Sequence, residues 1–278
     1  MVIIKRYDEF LKNLANGLKQ KRSKVAARAN ATVGVFDILP TNCMRKAYYA
    51  TKLVDTAPSE PTMPYMRGRA IESAIARLLL ADAGALLERH KRHEKAGIVC
   101  YTDLSDSNTI IEIKDTSVGR RLIPQDIQFK GYLMQVLYYM VIADKEEAIL
   151  VINYSSKELI WHHNDSDGRS WFYRPANARA AGVESWHVSM SKDDYARELL
   201  LDQMLRRKNA FLGAKRANDV SMLPRVRLQD RRLKCSHCPF YEKCMNEDAE
   251  SEDARAMAND LDLLDVSGFV VSELDKPE

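Results

Sequence analysis

Two carboxylates and a lysine lie close together near the middle of the chain, in two short segments rich in β-forming residues. Asp103 ends the segment 97–103, and Glu112 and Lys114 lie in the segment 109–114. A polar stretch between the two segments is typical of a hairpin turn. Because side chains alternate along a strand, Glu112 and Lys114 share one face, and we expect Asp103 to lie near them on the adjoining strand. Paired carboxylates with water suit Mg²⁺, and a neighbouring lysine can orient a water molecule for attack on a phosphate.

The Glu-x-Lys spacing is weak evidence by itself. Many strands carry it by chance, as an exposed cross-strand ion pair. A charged pair on an otherwise apolar strand loses hydration on burial, and this loss is tolerated where the charges have partners or a function. From Glu112 and Lys114 alone, a catalytic pair and a surface ion pair both remain open.

A third carboxylate lies on a helix that precedes the hairpin. Apolar residues recur at helical intervals over 66–81, which predicts a helix there. Glu72 lies early in this helix, four positions after Gly68. A carboxylate at this place can also bind Mg²⁺ or Mn²⁺, directly or through water.

A polar and aromatic stripe lies on the helix that follows the hairpin, predicted over 126–142. Gln135 and Tyr139 are one helical turn apart, and Gln128 and Tyr132 continue the same stripe. The opposite side of this helix is apolar. The stripe suits contacts with nucleotides, and it equally suits a buried tyrosine face whose hydroxyl groups have partners.

Three of the five cysteines form a C-x₂-C-x₅-C cluster, at Cys235, Cys238 and Cys244. With Cys43, far upstream, they make four thiolates, a set that suits a [4Fe–4S] cluster and equally a tetrahedral Zn²⁺. His237 is an alternative to Cys43 in a zinc site. Cys100 lies in a strand and is expected to be a buried core thiol. Clustered cysteines without a disulfide scaffold or a signal-peptide pattern predict a reducing, cytoplasmic compartment.

The net charge of +3 on 278 residues averages two unlike parts. Residues 246–278 contain 11 acidic and 2 basic residues, a net charge of −9, so residues 1–245 carry +12. A basic body suggests a polyanionic partner, and an ordinary basic surface beside a solubilising tail is the alternative. No run of 18 apolar residues is present, so no membrane-spanning helix and no membrane partner are expected.

The pattern of elements divides the chain into four predicted regions. They are a basic helical region over 1–60 with a helix over 1–30, a core over 61–190, a helix and cysteine segment over 191–245, and an acidic, largely disordered tail over 246–278. Within the core, a strand is predicted over 148–154, paired with 157–162, and a loop or irregular hairpin over 163–185. A long helix is predicted over 193–213.

The order of these motifs resembles that of the PD-(D/E)xK nuclease superfamily, in its RecB-like branch, over residues 67–154. The cysteines extend the resemblance to about 40–245, and there it is to the iron–sulfur nucleases of CRISPR adaptation (the fourth Cas family) and to AddB-type nuclease domains. The resemblance implies an α/β (α+β) fold, with a restriction-endonuclease-like core in which a central mixed β-sheet is flanked by helices. It also implies a deoxyribonuclease dependent on Mg²⁺ or Mn²⁺, more exonuclease than endonuclease.

Carried over by position, the resemblance implies that Asp103, Glu112 and the backbone carbonyl of Ile113 bind the metal, and that Lys114 is the catalytic lysine. Gln135 and Tyr139 would support the active site. Where the family usually has histidine, this chain has Glu72, which we expect to be a further metal ligand. The four cysteines would hold a [4Fe–4S] cluster that staples the two ends of the core together.

We expect the partner to be DNA, as single strands or duplex ends. The expected contacts are Arg45, Lys46, Tyr48, Arg69, Gln128, Tyr132, Arg231 and Arg232. An integrase, helicase or recombination protein is a further expected partner, as is a second copy of the chain. A nuclease-like DNA-binding module without catalysis, and a zinc-stapled protein whose Glu-x-Lys pair is surface charge, remain alternatives. Four of the six histidines, His90, His93, His162 and His163, are expected to be solvated or structural.

Overall fold

The computed structural model describes eleven stretches of the chain: 32–52, 63–83, 87–116, 121–154, 160–164, 169–173, 182–226, 235, 238–247, 249–260 and 269–273. Several predictions lie outside these stretches. They are the helix over 1–30 and the residues Arg231, Arg232 and His237.

A six-stranded mixed sheet forms the centre of the structure. In spatial order its strands are β11 (Val270–Glu273), β10 (Gly182–Ser189), β7 (Glu147–Tyr154), β6 (Thr109–Thr116), β5 (Leu104–Ser105) and β2 (Glu88–Arg89). Strands β6 and β7 are parallel, and the other neighbouring pairs are antiparallel. A smaller sheet contains β1 (Val33–Gly34), β4 (Ile98–Tyr101) and β3 (Arg92–Lys95), and a separate hairpin contains β8 (Ile160–Asn164) and β9 (Arg169–Tyr173).

Seven α-helices lie in the described residues: α1 (Val35–Ile38), α2 (Met44–Lys52), α3 (Met63–Ala83), α4 (Ile127–Ala143), α5 (Tyr195–Ala217), α6 (Tyr241–Asn246) and α7 (Glu252–Met257). Helix α4 connects the parallel strands β6 and β7, as a parallel pair requires a crossover. It packs between the sheets and α5, so most of its residues are buried, including Gln135 and Tyr139 of the predicted polar stripe. None of the described helices is long and apolar enough to cross a membrane.

The alternation predicted for the strand that carries Glu112 is confirmed. Ile111 and Ile113 on β6 pack with Ala76 of α3 in a small apolar cluster on one side of the sheet. Glu112 and Lys114 extend to the other side, toward α4. The larger apolar core lies on that side and joins residues from β1 to Phe240, so α5 and the cysteine segment share one core with the central sheet.

The strand pairing after β7 differs from the prediction. The segment 157–162 was expected to pair with β7, whereas β8 pairs with β9. Both edges of β7 are already occupied, by β6 on one side and β10 on the other. The segment 163–185, predicted as a loop or an irregular hairpin, contains the end of β8, the whole of β9 and the beginning of β10.

The acidic C-terminal segment was expected to be largely disordered, whereas its described residues include helix α7 and strand β11. The side chain of Ser251 caps α7, and β11 adds to the edge of β10. Asp260 is fully buried and accepts a hydrogen bond of 2.9 Å from Arg207 Nη1. The acidic charge is used here in a buried ion pair, which the local composition does not reveal.

Replacing Asp260 tests whether this segment stabilises the body. We expect Asp260→Ala to lower the free energy of unfolding by about 3 kcal/mol, because it leaves the buried Arg207 guanidinium without its counter-charge. Urea denaturation followed by circular dichroism measures the change. Asp253→Ala, in the exposed face of the same segment, is the matched control. Equal free energies of unfolding in the two variants would contradict a stabilising role of this segment.

Candidate active site

Four side chains from β6 and α4 form one hydrogen-bonded network. Lys114 Nζ donates to Glu112 Oε1 at 2.5 Å and to Gln135 Oε1 at 2.9 Å. Gln135 Nε2 in turn donates to Glu112 Oε1 at 2.8 Å and contacts the Tyr139 hydroxyl oxygen at 2.9 Å. The structure thus brings the predicted Glu-x-Lys pair and the predicted Gln-x-x-x-Tyr pair together. The surface ion pair considered as an alternative is excluded, because Glu112 is 3% exposed.

Burial controls the charge state of this network. It raises the pKa of Glu112 to about 7, against the attraction of the neighbouring Lys114. Lys114 itself has a raised pKa, because its contact with Glu112 outweighs the opposing effect of burial. Glu112 Oε2 is buried and has no hydrogen-bond partner among the described residues. A buried carboxylate oxygen without a partner is unfavourable, and a bound cation is one way to satisfy it.

Asp103 lies where the chain passes from β4 in the small sheet to β5 in the large one. Its Oδ2 accepts a hydrogen bond of 2.8 Å from the backbone N–H of Ile113, which joins it to the strand that carries Glu112. Burial raises its pKa, with a smaller contribution from the charge of Glu72. Asp103 therefore lies in the bend between two strands, close enough to Glu72 and Glu112 for their charges to interact with its own.

Glu72, His90 and Asp103 together could hold a metal ion, since one ligand atom from each lies within 4.8 Å of the others. His90 Nε2 is 3.7 Å from Glu72 Oε1. Arg69 Nη1 donates to both carboxylate oxygens of Glu72, at 3.0 and 2.7 Å. A cation at this position would compete with Arg69 for Glu72.

Sequence reasoning missed His90, which was expected to be solvated or structural. His90 follows β2 in a turn and has a φ of 52°, a left-handed conformation that is uncommon for a residue with a side chain. Its backbone N–H donates to the carbonyl oxygen of Asp103 at 3.2 Å. No spacing motif relates His90 to Glu72 or Asp103, because the three residues come together only through the pairing of β2 with β5.

The remainder of the predicted stripe on α4 also contacts the network. Gln128 Nε2 donates to Thr116 Oγ1 at 3.0 Å and to the Tyr132 hydroxyl oxygen at 2.7 Å. Lys114 Nζ lies 5.8 Å from the centre of the Tyr132 ring, within the range of a cation–π contact. Gln128 and Tyr132 are thus partly buried residues beside Lys114, still partly open to solvent.

Several residues expected to contact DNA are placed differently. Arg45 is fully buried, and its Nε donates to the carbonyl oxygen of Leu223, so it offers no surface to a phosphate. Tyr48 is 5% exposed and donates to Asn218 Oδ1, which leaves no face for base stacking. Lys46, in contrast, is exposed beside the cysteines, and Arg69 is paired with Glu72. The local sequence around Cys43 does not reveal this burial, because it results from packing against distant segments.

The four predicted ligand cysteines line one cavity, at Cys43, Cys235, Cys238 and Cys244. The backbone N–H of Lys46 contacts Cys43 Sγ at 3.4 Å. Cys100 lies elsewhere, buried in β4, as expected. A single tetrahedral zinc ion would hold its sulfurs about 3.8 Å apart, given Zn–S bonds of about 2.3 Å. Among the described residues, only Glu72, His90 and Asp103 form a group of three whose ligand atoms all lie within 4.8 Å of one another. No three of the cysteine sulfurs are therefore that close together.

The chain has distant structural similarity to solved exonucleases. No family model matches it, and no curated protein is significantly similar to it. The structure of SSO0001 has a TM-score of 0.48 and 16% identity, over 83% of this chain and 96% of that one. An alkaline exonuclease from Laribacter hongkongensis has a TM-score of 0.41 and 13% identity, over 70% and 93%. A phage-related exonuclease from Haemophilus somnus 129PT has a TM-score of 0.42 and 18% identity, over 61% and 77%.

Removing His90 tests the metal group. We expect His90→Ala to weaken Mn²⁺ binding about tenfold, because it removes one of three ligand atoms that lie close together. Titration of Mn²⁺ followed by electron paramagnetic resonance measures the free ion directly. His93→Ala, three residues further on and outside the group, should bind Mn²⁺ as the wild type does. Equal affinities in the two variants would contradict the assignment of His90.

Proposed function

We propose that this chain is a metal-dependent deoxyribonuclease that hydrolyses phosphodiester bonds in single-stranded DNA or at duplex ends. The observation that supports this most is the buried network of Glu112, Lys114 and Gln135, which lies beside the second carboxylate, Asp103. A largely buried lysine held against a carboxylate with one free oxygen has little structural advantage over apolar residues of similar size. The arrangement therefore favours catalysis.

The donors fit a hard divalent cation. Glu112 Oε2 is buried without a partner, and Asp103 is linked through Ile113 to the same strand. Glu112 Oε2 and the Asp103 carboxylate, together with Glu72 and His90, would hold Mg²⁺ or Mn²⁺, which take carboxylate and water ligands. The Ile113 carbonyl points to the same strand edge as its N–H, so it also belongs in the proposed ligand set. When bound, the ion supplies Lewis-acid stabilisation of the charge that develops on the phosphate.

The other residues of the network would position the ammonium group of Lys114 and, through it, a water molecule. Lys114, held by Glu112 and Gln135, would orient the attacking water and stabilise negative charge at the cleaved bond. Gln135 contacts both Lys114 and Glu112, so it fixes the distance between the lysine ammonium group and the glutamate carboxylate. Tyr139 in turn holds Gln135. Tyr132 and Gln128, beside Lys114 and still partly open, are proposed to contact the DNA strand.

The finer assignment rests on the sequence resemblance to iron–sulfur nucleases of the RecB-like branch. Four cysteine side chains around one cavity support a [4Fe–4S] cluster there, since four thiolates are its usual ligands. Their sulfurs are less closely spaced than a single zinc ion requires. We propose that the cluster is a structural staple, and that the nuclease acts in CRISPR adaptation, in recombination and repair, or in viral genome processing. An integrase, helicase or recombination protein is the proposed partner.

A nuclease-like module that binds DNA without cleaving it is the second candidate. Arg69 favours it, because its guanidinium occupies both oxygens of Glu72. If that ion pair persisted in the presence of metal, the site would lose one ligand. Salt-dependent DNA binding without turnover in Mg²⁺ or Mn²⁺ would identify this second function.

Substitutions in the buried network test the nuclease. We expect Glu112→Gln and Lys114→Met each to reduce Mg²⁺- or Mn²⁺-dependent degradation of end-labelled DNA by at least about 100-fold, because general acid–base and electrostatic groups contribute this much. Single-stranded, blunt and tailed duplex substrates are compared on denaturing gels. Circular dichroism confirms that each variant is folded.

An exposed ion pair provides matched controls for both variants. Lys192 and Asp144 lie 3.4 Å apart at the surface, and Asp144 is a helix C-cap where asparagine is tolerated. Lys192→Met and Asp144→Asn should degrade DNA at the wild-type rate. Full activity in Glu112→Gln and Lys114→Met would overturn the proposed nuclease.

The metal content of the anaerobically purified protein tests the staple. We expect about four iron atoms per chain, broad absorption near 400 nm and a brown colour. Cys43→Ser should lose iron, whereas Cys100→Ser, a buried cysteine outside the cavity, should retain it. Colourless protein with one zinc ion per chain would contradict the cluster.

A further inference from the structure

The cysteine cavity is lined by a tyrosine whose buried hydroxyl group has no partner within the described residues. Tyr49 is 1% exposed and lines the cavity together with the four cysteines. Its hydroxyl oxygen is buried, and no donor or acceptor of the described chain reaches it. Buried hydroxyl groups nearly always have a hydrogen-bond partner, because leaving one without a partner is unfavourable. The structure therefore predicts that whatever occupies the cavity supplies an acceptor.

The neighbouring tyrosine shows that this feature is specific to Tyr49. Tyr48 and Tyr49 are adjacent on α2, and their ring centres are 5.5 Å apart in an edge-to-face arrangement. The Tyr48 hydroxyl donates to Asn218 Oδ1 at 3.1 Å, and Tyr48 does not line the cavity. Two side chains of the same type, equally buried, thus differ in whether the protein satisfies their hydroxyl groups.

The Tyr49 ring is fixed relative to the cysteines. Its centre lies 5.6 Å from that of Phe240, and Lys243 Nζ lies 5.9 Å from it on α6. The carbonyl oxygen of Phe240 accepts a hydrogen bond of 2.9 Å from the backbone N–H of Cys244. A tyrosine hydroxyl group is protonated at neutral pH, so Tyr49 offers a hydrogen-bond donor beside the cysteine ligands.

We propose that Tyr49 is a positioning residue of the cysteine site, whose hydroxyl group donates a hydrogen bond to a sulfur atom of the bound iron–sulfur cluster or of its cysteine ligands. This inference rests on the [4Fe–4S] cluster of the proposed function. The acceptors offered by such a cluster are anionic sulfurs, and the backbone N–H of Lys46 already points to one of them, on Cys43. Hydrogen bonds to sulfur stabilise the more electron-rich reduced state, so they raise the reduction potential.

The test compares two single-hydroxyl deletions in the iron-loaded full-length protein. We expect Tyr49→Phe to bind iron as the wild type does and to have a lower reduction potential, because one donor to sulfur is lost. Tyr48→Phe removes the same atom from the adjacent residue and should leave the potential unchanged. Potentials are measured by anaerobic redox titration followed by visible absorption, and the Fe–S stretching frequencies by resonance Raman spectroscopy.

Each outcome bears on the role of Tyr49. An unchanged potential in Tyr49→Phe, or equal shifts in both variants, would overturn it while leaving the cluster and the nuclease intact. Absence of iron from the wild type would overturn the cluster and this role together. If Tyr49→Phe fails to hold iron, 3-fluorotyrosine at position 49 decides, since its more acidic hydroxyl is a stronger donor. A raised potential in that variant supports the role, and an unchanged one overturns it.

Discussion

The contact between Glu112 and Lys114 inside the protein constrains much of the rest of the structure. Removing two charges from water costs several kcal/mol for each ion, and their mutual attraction offsets this only with good geometry and further hydrogen bonds. Gln135 supplies those bonds, so α4 must lie at one fixed height and rotation above β6. The burial of most of α4 against the sheets and α5 maintains that position. A polar site of four residues thus depends on a large apolar core.

The parts of this site that follow one strand or one helix could be predicted from the sequence. Alternation along β6 is a local property, so Glu112 and Lys114 were correctly assigned to one face and Ile111 and Ile113 to the other. The one-turn spacing of Gln135 and Tyr139 is local too, and it correctly predicted their contact. Both patterns follow from backbone geometry, which packing against other segments does not change.

The parts that depend on contacts between distant segments could not be predicted. His90 reaches Glu72 and Asp103 only because β2 pairs with β5, and no spacing encodes that pairing. Arg45 was expected at the surface because it is charged, whereas Leu223 and its surroundings bury it. Asp260 was expected in a disordered acidic tail for the same reason, and it forms a buried ion pair with Arg207. Composition describes the average residue of a segment, and these contacts depend on single residues.

The arginines that tie the early and late segments together also affect how the chain folds. Arg207 donates to the carbonyl oxygen of Ile38 across 169 positions, and Arg45 donates to that of Leu223 across 178. Contacts of such sequence separation form late and slowly, because a long loop must close before any of them can contribute. During synthesis, Arg45 and Ile38 therefore leave the ribosome well before Leu223 and Arg207, the residues that contact them. We expect this interval, before residues 207–260 are made, to be when the protein is most prone to aggregate.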